Sequence, residues 1–210
     1  MNKITPFTSS DVEIQSEATT YDGFFQIKQL SLKHRVFAGG WSGVMQRELF
    51  SRRPVGAVLP YDPIRDEVVL IQQFRVGALG QQSPWLIELI AGMTEAEEPV
   101  EAMIHREAQE EAGIELLELV KLFQYWVSPG GSSENLTLYL GRVDATHAGG
   151  IHGLAHEHED IKVITMPAQE AIDAITTGAI NNAATIIALQ WLAMNKENVF
   201  STQDKVKREL

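Results

Sequence analysis

The spacing of hydrophobic and polar positions changes along the chain and predicts where strands and helices lie. Across residues 10–52, short apolar runs alternate loosely with polar residues, which is typical of β-strands. Two apolar runs, at 55–59 and 68–74, flank a segment of turn-forming residues and predict a hairpin. A mostly apolar run at 85–91 predicts one further strand, after a loop that contains two glycines and a proline.

The second half of the chain alternates between strand and helix patterns. Three further strands are predicted, at 119–127, 135–142 and 161–166. Two amphipathic helices are predicted, at 167–177 and 181–196. This order of elements predicts an α/β sandwich with a mixed sheet. A small antiparallel β module at 1–52 is expected to precede the sandwich, and a polar tail at 197–210 to follow it.

Another helix is predicted over residues 99–112, between a proline and a glycine. Pro99 suits the first helical position, where its missing N–H costs nothing. Gly113 suits the residue after the helix end, where a left-handed conformation is common. One face of this helix begins apolar and becomes acidic; its members are Val100, Met103, Ile104, Glu107, Glu110 and Glu111.

The three carboxylates that end this face have two interpretations. Like charges three and four residues apart repel each other, and carboxylates near a helix C-terminus oppose the helix dipole. A solvated helix end in an acidic protein tolerates both effects, whereas a bound divalent cation such as Mg²⁺ would relieve them, since hard cations prefer oxygen ligands. Helical spacing alone does not decide between these two interpretations.

Composition and charge argue against several classes of function. The chain has 210 residues, a formal net charge of −11 and no cysteine. It therefore has no disulfide and no thiol nucleophile, which is typical of a cytoplasmic protein. The acidic balance argues against nucleic acid as a partner. No membrane association is expected, because the N-terminus lacks a signal-peptide core and the apolar stretch at 183–194 is too short to span a bilayer.

The spacing around the acidic helix favours the cation site. Gly92 is followed after five residues by Glu98 and, after seven more, by Arg-Glu-Ala-Gln-Glu-Glu-Ala-Gly-Ile at 106–114. This arrangement resembles the signature of the Nudix hydrolases at every defined position, with Ala108 as a small residue in an apolar slot. The resemblance implies an α/β/α sandwich over residues 53–196. It also implies bound Mg²⁺, or Mn²⁺ as a substitute, that activates water against a nucleoside diphosphate linked to another group.

The same resemblance implies roles for individual residues. The metal ligands are expected to be the backbone carbonyl of Ala91 and the carboxylates of Glu107, Glu110, Glu111 and Glu159. The catalytic residues are expected to be Glu111, Arg106 and Glu157. Arg106 lies four residues before Glu110 and can orient its carboxylate, although this spacing also produces ordinary surface ion pairs. Glu98 is expected to hold the loop or to support the metal ligands from outside.

The segment His-Glu-His-Glu-Asp at 156–160 has three interpretations. Its charge pattern is that of a solvated loop. Its histidines also suggest a zinc site, although no pair has the spacing of a helical or strand site. In the ADP-ribose pyrophosphatase branch of the Nudix family, which this chain resembles, one loop glutamate is the general base and a neighbour reaches a metal. By that likeness Glu157 is the base and Glu159 the metal ligand, on the same side if the segment is extended.

The likeness to that branch extends to the substrate-binding residues. Pro129 follows Gly113 by sixteen residues, and the segment at 128–134 resembles the substrate loop of the branch, although by composition alone it is a β-turn. Two adjacent phenylalanines on an N-terminal strand would face opposite sides, one towards the core and one towards a base. The expected substrate residues are Phe24, Phe25, Arg47, Glu48, Arg52, Arg75, Met93, Ser128, Pro129, Gly130 and Glu134. Without the likeness, these aromatics would be assigned to the core and the arginines to solvent.

The resemblance implies Mg²⁺-dependent hydrolysis of a nucleotide sugar, ADP-ribose, to AMP and ribose 5-phosphate. In the resembling enzymes the N-terminal module exchanges between subunits, so a domain-swapped homodimer is expected. One alternative is a Nudix hydrolase of another nucleotide sugar. The other is a non-catalytic Nudix-like ligand sensor. Such sensors tend to lose acids of the motif, whereas this chain keeps all of them.

Overall fold

The computed structural model describes residues 7–95 and 97–200. The described residues form three α-helices: α1 (Val100–Ala112), α2 (Ala168–Thr177) and α3 (Ala183–Asn195). They also form eleven β-strands: β1 (Val12–Asp22), β2 (Gln26–His34), β3 (Met45–Ser51), β4 (Val55–Asp62), β5 (Glu67–Phe74), β6 (Trp85–Glu88), β7 (Ile90–Met93), β8 (Glu118–Trp126), β9 (Asn135–Arg142), β10 (Gly150–His152) and β11 (Ile161–Pro167). Short 3₁₀ turns occupy Ser9–Asp11, Val76–Ala78 and Ala155–Glu157.

These elements fall into two compact units. Of the described residues, the first unit contains 7–53 together with Trp126–Asn135. The second contains the described residues of Pro54–Tyr125 and residues 136–200. The segment at 126–135, which includes the predicted substrate loop, therefore clusters with the N-terminal strands although it is distant from them in sequence.

The first unit contains an antiparallel sheet in the order β1-β2-β3, as predicted for the N-terminal module. The expectation that Phe24 and Phe25 lie on a strand is wrong. Both lie in the turn between β1 and β2, where the backbone N–H of Gly23 donates to the carbonyl of Phe25 at 3.0 Å. The two rings contact each other edge to face, with centroids 4.8 Å apart, and Phe24 is 84% exposed.

The second unit is built on a mixed sheet whose strand order is β10-β11-β5-β4-β9-β8. Strand β4 runs parallel to β9 and antiparallel to β5 and β7, and β6 pairs with β5. Because β4 is covered on both faces, its residues are nearly all buried, as is typical of the central strand of a layered α/β protein.

Helices cover both faces of this sheet. On one face, Val58 and Ile71 pack with Met103 and Ile104 of α1. On the other face, strand residues that alternate with these pack with α2 and α3; the strand residues include Ala57, Leu59, Leu70 and Leu138, and the helix residues include Ala171, Ala188 and Leu189. Each fully buried Leu or Ile contributes roughly 1.5–3 kcal/mol of transfer free energy. The predicted α/β/α sandwich with a mixed sheet is confirmed.

Helix α1 agrees with the sequence prediction except at its first residue. Pro99 is the N-cap, with an extended backbone, and helical geometry starts at Val100. At the other end, Gly113 adopts the predicted left-handed conformation, with φ of 62°. Its N–H donates to the carbonyls of Ala108 and Gln109, which satisfies acceptors that the helix end leaves open.

The single strand predicted at 85–91 is wrong, because the chain changes partner in its middle. Strand β6 pairs with β5, whereas β7 pairs with β4. Leu89 separates them, and its N–H donates to the hydroxyl of the fully buried Thr185 of α3 at 3.1 Å. Asn182 caps α3 and donates to the carbonyl of Ile87 at 2.6 Å, so the start of α3 stabilises this break.

Across residues 7–95 and 97–200, none of the helices combines the length and the apolar character needed to cross a membrane.

Candidate active site

Glu111, in the last turn of α1, is buried against strand β7. It is 3% exposed, and one of its carboxylate oxygens accepts a hydrogen bond from the backbone N–H of Ala91 at 3.1 Å. An ionised carboxylate can accept about four hydrogen bonds, and within the described part of the chain Glu111 accepts this one. A buried carboxylate with so few donors needs a proton or a cation to compensate its charge.

A pair of glycines allows α1 to lie this close to the sheet. Gly56 of β4 is directly opposite Gly92 of β7. A Cβ atom at Gly56 would lie 2.6 Å from Cε of Met103, and a Cβ atom at Gly92 would overlap the carboxylate of Glu107. The glycine that opens the motif therefore leaves the space that Glu107 occupies, which is a steric requirement rather than a need for unusual φ.

Arg106 joins three carboxylates. Its guanidinium donates to both oxygens of Glu98, at 3.1 and 3.2 Å, in a bidentate pair. Its Nη1 atom donates to Glu107 at 3.0 Å and to Glu110 at 2.9 Å. Glu98 also accepts the backbone N–H of Glu95 at 3.0 Å, so it holds the loop before α1, as expected. The contact between Arg106 and Glu110 is present, and Arg106 also orients Glu107.

Burial shifts the proton affinity of two of these acids. Burial raises the pKa of Glu111 to about 8, although the hydrogen bond from Ala91 partly opposes the shift. Burial also raises the pKa of Glu107 to about 7, opposed by the charge of Arg106 and its hydrogen bond. Both carboxylates are thus poised to exchange a proton for a cation near neutral pH.

Two further residues act on these acids through their charge. The negative charge of Glu159 contributes to the raised pKa values of Glu107 and Glu111, so Glu159 lies within electrostatic range of both. The positive charge of Arg75 partly lowers the pKa of Glu111. Arg75 is held by Glu88, whose carboxylate accepts from its Nε at 2.7 Å. The structure therefore brings the predicted residues Arg75 and Glu159 towards the end of α1.

The predicted loop acids differ in their surroundings. Glu157 ends a 3₁₀ turn, and its side chain is 56% exposed and lies 3.5 Å from the imidazole of His156. His158 follows in the left-handed conformation, with φ of 58°. The extended segment that would place both acids on one side is therefore absent, and that expectation is wrong. Glu159 is half-buried, and its carboxylate accepts from the N–H of Leu154 at 3.4 Å.

The donor set suits a hard divalent cation. The carboxylates of Glu107, Glu110 and Glu111, supplemented by Glu159 and a backbone carbonyl, offer the oxygen ligands that Mg²⁺ prefers. The buried and poorly solvated Glu111 carboxylate is the observation that fits a bound cation best. In the described ranges no three acidic or histidine side chains are arranged to hold an ion as they stand. Two of the acids, Glu107 and Glu110, are instead hydrogen-bonded to Arg106.

The first unit gathers three of the predicted substrate residues. Arg52 pairs with Glu134 at 3.0 Å, and its guanidinium lies over the ring of Phe25, 4.6 Å from the centroid. The Arg52 backbone also exchanges hydrogen bonds with the hydroxyl of Ser133. Phe50 completes the aromatic support, 5.4 Å from the guanidinium. This cluster combines a cation, an anion and aromatic rings that meet edge to face, a combination that can serve a polar planar ligand.

The remaining predicted substrate residues are more dispersed. Arg47 and Glu48 are exposed on β3, where the guanidinium of Arg47 donates to the carbonyl of Gln46. Met93 is half-buried at the end of β7. Ser128, Pro129 and Gly130 form an exposed turn, closed by a hydrogen bond from the Ser132 N–H to the Ser128 carbonyl at 2.9 Å. The role of each of these residues in substrate binding stays a prediction.

Sequence reasoning missed three residues that support predicted site residues within their own units. Gly56 makes room for α1, and an isolated glycine inside an apolar strand pattern is a known sign of close approach. Glu88 fixes Arg75, and Phe50 stacks beside Arg52. Glu88 meets Arg75 only through the pairing of β5 with β6, and no pattern in the sequence marks Phe50 as a neighbour of the Arg52 guanidinium.

Comparisons with known proteins agree with this geometry. The family model of the NUDIX domain matches residues 51–189. The chain is 46% identical over 199 residues to the ADP-ribose pyrophosphatase of Haemophilus influenzae, covering 93% of this chain and 92% of that protein. It is 36% identical over 156 residues to the GDP-mannose pyrophosphatase of Shigella flexneri, covering 71% and 78%. The crystal structure of an ADP compounds hydrolase superposes with a TM-score of 0.66 at 19% identity, covering 88% of this chain and 96% of that one.

The chain therefore belongs to the NUDIX family, and the family predicted from the motif is confirmed. The prediction of a hydrolytic enzyme is confirmed with it.

Proposed function

We propose that this protein hydrolyses the pyrophosphate bond of ADP-ribose, yielding AMP and ribose 5-phosphate, with Mg²⁺ as the natural cation and Mn²⁺ as a substitute. The observation that carries the proposal is the placement of Glu107, Glu110 and Glu111 on one turn of α1, with Glu111 buried against Ala91. The name of the Haemophilus relative, at 46% identity over nearly the whole chain, supports ADP-ribose as the substrate. The cytoplasmic location suggested by the cysteine-free sequence stays a prediction.

The carboxylates of α1, the carbonyl of Ala91 and the carboxylate of Glu159 would hold the cation. When bound, the cation neutralises phosphate oxygens and lowers the pKa of a bound water. Arg106 has a different task, because it binds Glu98 and so attaches the helix to the preceding loop. It also pairs with Glu107 and Glu110, and a bound cation would compete with Arg106 for both carboxylates.

Proton removal from the attacking water requires a base that is not itself a metal ligand. We assign this task to Glu157, which lies on the same loop as Glu159 and is largely exposed. A base need not be in contact with its target in the free enzyme, since loops often complete such sites on closure. The positive-φ residues Gly153 and His158 flank Glu157 and give the loop its bends.

A product assay tests the proposed substrate. The full chain is incubated with Mg²⁺ and, separately, ADP-ribose, ADP-glucose, GDP-mannose and NADH, and products are resolved by ion-exchange chromatography. ADP-ribose is expected to give AMP and ribose 5-phosphate with the highest kcat/KM. The GDP-mannose relative makes another nucleotide sugar the specific alternative, and a higher kcat/KM for GDP-mannose would establish it. Turnover of none of the four would contradict ADP-ribose as the substrate.

The protein is also proposed to act as a homodimer in which each active site takes the cluster of Phe25, Arg52 and Glu134 from the partner, with Phe24 as a further stacking residue. The support is that all eleven residues of β1 are exposed, and that large aromatic side chains of the same unit, such as Phe24, also face solvent. Exposed apolar side chains of this size are frequent at protein interfaces.

Complementation between two inactive variants tests the dimer sharply. Arg52→Ala and Glu111→Gln chains are co-expressed with different tags, and the heterodimer is purified through both tags. If each site combines both chains, one site of the heterodimer carries both substitutions and the other carries none, so activity returns. A monomer by light scattering, or an inactive heterodimer, would contradict the exchange.

A further inference from the structure

The loop between β10 and β11 is attached to the C-terminal end of α1. The backbone N–H of Gly153 donates to the carbonyl of Glu110 at 3.2 Å. The last four carbonyls of a helix have no partner within it. Gly113 already satisfies the carbonyl of Gln109, and Gly153 satisfies that of Glu110. The loop thus acts as a second cap on the helix that carries the proposed metal ligands.

His152 strengthens this attachment. Its ring lies against Gly113, and a Cβ atom at Gly113 would be 2.7 Å from Cε1 of the imidazole. The Nε2 atom of His152 lies 2.8 Å from the carbonyl of Gly149, to which it donates. His152 is also the last residue of β10 and is paired with Ile161 of β11. The base of the loop is therefore fixed on both the helix side and the sheet side.

Gly153 also lies close to Glu159, with no room for a side chain between them. Gly153 has φ of +98°, and a Cβ atom there would lie 2.9 Å from Cβ and 3.0 Å from the carbonyl oxygen of Glu159. These are backbone and near-backbone atoms, so Glu159 could not move away as a flexible side-chain end would. The N–H of Glu159 donates to the carbonyl of Leu154 at 3.3 Å, which closes the loop on itself.

Other glycines with positive φ lack this contact. Gly149, with φ of +153°, has open space where a Cβ atom would be, and so has Gly178, the cap of α2, with φ of +79°. Gly153 is thus unlike them in joining an acidic residue to the end of α1. Its N–H donates to the carbonyl of Glu110, and its lack of a side chain leaves room for Glu159.

We propose that Gly153 is a positioning residue, which fixes the loop at 153–160 to the end of α1 and thereby sets the position of Glu159 relative to Glu107 and Glu111. The metal-related part of this inference rests on the proposed function. A residue that orients a metal ligand without binding the ion typically changes metal affinity by roughly 10–100-fold when it is replaced.

Mn²⁺ binding without substrate tests this role. The Mn²⁺ dissociation constant is measured by electron paramagnetic resonance for the wild type, Gly153→Ala and Gly178→Ala. Both substitutions strain a positive-φ backbone, but Gly178→Ala has no contact near the acids. Gly153→Ala is expected to weaken Mn²⁺ binding by at least about tenfold, and Gly178→Ala to leave it unchanged. Wild-type affinity in Gly153→Ala would overturn the proposal.

A double-mutant cycle shows whether Gly153 acts through Glu159. Glu159→Gln alone is expected to weaken Mn²⁺ binding, and adding Gly153→Ala should then cost little more, because the residue being positioned is already lost. Additive losses would overturn the proposal. If the wild type hydrolyses ADP-ribose while Glu159→Gln binds Mn²⁺ normally, this inference fails and the proposed function stands. If the wild type neither binds Mn²⁺ nor hydrolyses ADP-ribose, the proposed function fails.

A measurement on the intact loop does not depend on Gly153→Ala folding. Hydrogen exchange of the Gly153 amide is followed by NMR with and without Mg²⁺. Mg²⁺ is expected to slow this exchange in the wild type, because ligation of Glu159 would hold Gly153 on Glu110 more tightly. In Glu159→Gln the slowing should vanish. An equal Mg²⁺ effect in both proteins, or none in the wild type, would contradict the proposal.

Discussion

The backbone N–H of Ala91 donates to the buried carboxylate of Glu111 at 3.1 Å, which joins strand β7 to the last turn of α1. Ala91 is opposite Ala57 of β4, so the strand that carries this donor is held in register by the central sheet. The two proposed metal-binding groups, a carbonyl of β7 and a carboxylate of α1, are thus fixed relative to each other before any ion binds. Such preorganisation lowers the cost of assembling a site.

Glu111→Gln is expected to retain the fold and lose turnover by orders of magnitude, since a neutral amide is a poor ligand for Mg²⁺. The amide nearly matches the shape of the carboxylate, so its oxygen can still accept from Ala91. Turnover of ADP-ribose at saturating Mg²⁺ and circular dichroism are the measurements. Glu101→Gln is the matched control, because it removes an exposed acid from the first turn of the same helix. Near-normal turnover of Glu111→Gln would exclude Glu111 as a ligand.

The metal-free protein is expected to lose stability as pH rises. In the folded protein the pKa of Glu111 is raised to about 8, from 4.5 as the ordinary value. The folded state therefore holds the proton more tightly than the unfolded state does. The resulting contribution to stability is complete below pH 4.5 and is lost between pH 4.5 and about 8. Each pKa unit corresponds to about 1.4 kcal/mol, so a decline of a few kcal/mol is expected.

Urea unfolding in the presence of EDTA, from pH 5 to pH 8, measures this decline. Glu111→Gln should remove most of it and should be more stable than the wild type at pH 8. Mg²⁺ should reverse the trend in the wild type, because a cation replaces the proton. Parallel pH profiles for the two proteins without metal would show that Glu111 is not the group responsible.

Replacing the two opposed glycines should separate activity from stability. At Gly92, the added methyl would meet the flexible end of Glu107, which can rotate away, so Gly92→Ala should lower turnover more than stability. At Gly56, it would meet Cε of Met103 and Cγ1 of Val100 in the core, so Gly56→Ala should cost roughly 1–3 kcal/mol of stability.

Thermal unfolding and turnover of both variants test this contrast, with Gly43→Ala as the control because no atom lies within 4 Å of its added Cβ. Both variants are assayed at a temperature where each is fully folded. If they then lose the same fraction of turnover, the position of Glu107 beside Gly92 is not important for turnover.

The acidic helix was predictable from the sequence because its signals are local. A proline before it, a glycine after it and a face with helical spacing place α1 within one residue of its observed start. The position of Glu111 on that face, in line with Met103 and Ile104, was also predicted, whereas its burial was not, because helical spacing is equally compatible with a solvated helix end.

What sequence patterns could not predict depends on pairing between distant segments. The change of partner at Leu89 is set by a hydroxyl of Thr185, almost a hundred residues away. Phe25 meets Arg52 through the register of β2 and β3, and no periodicity in either segment indicates it. The loop acids could not be placed by strand alternation, because a left-handed residue, His158, lies between them.

The roles of the two loop acids can be separated by substitution. Glu157 is largely exposed, whereas the charge of Glu159 reaches Glu107 and Glu111, which suits Glu159 to the metal and leaves Glu157 as the base. Removal of a positioned base typically costs ~10²–10⁴-fold in rate. Glu157→Gln should therefore lower kcat by that order and leave both the KM for ADP-ribose and the Mg²⁺ requirement nearly unchanged.

Glu159→Gln should instead raise the Mg²⁺ concentration needed for half-maximal activity, because it removes a ligand rather than a proton acceptor. Asp160→Asn is the matched control, since it neutralises an exposed acid of the same loop. Steady-state kinetics across a Mg²⁺ titration distinguish the three variants. If Glu157→Gln is nearly as active as the wild type while Glu159→Gln is inactive with normal Mn²⁺ binding, the two roles are exchanged and Glu159 is the base.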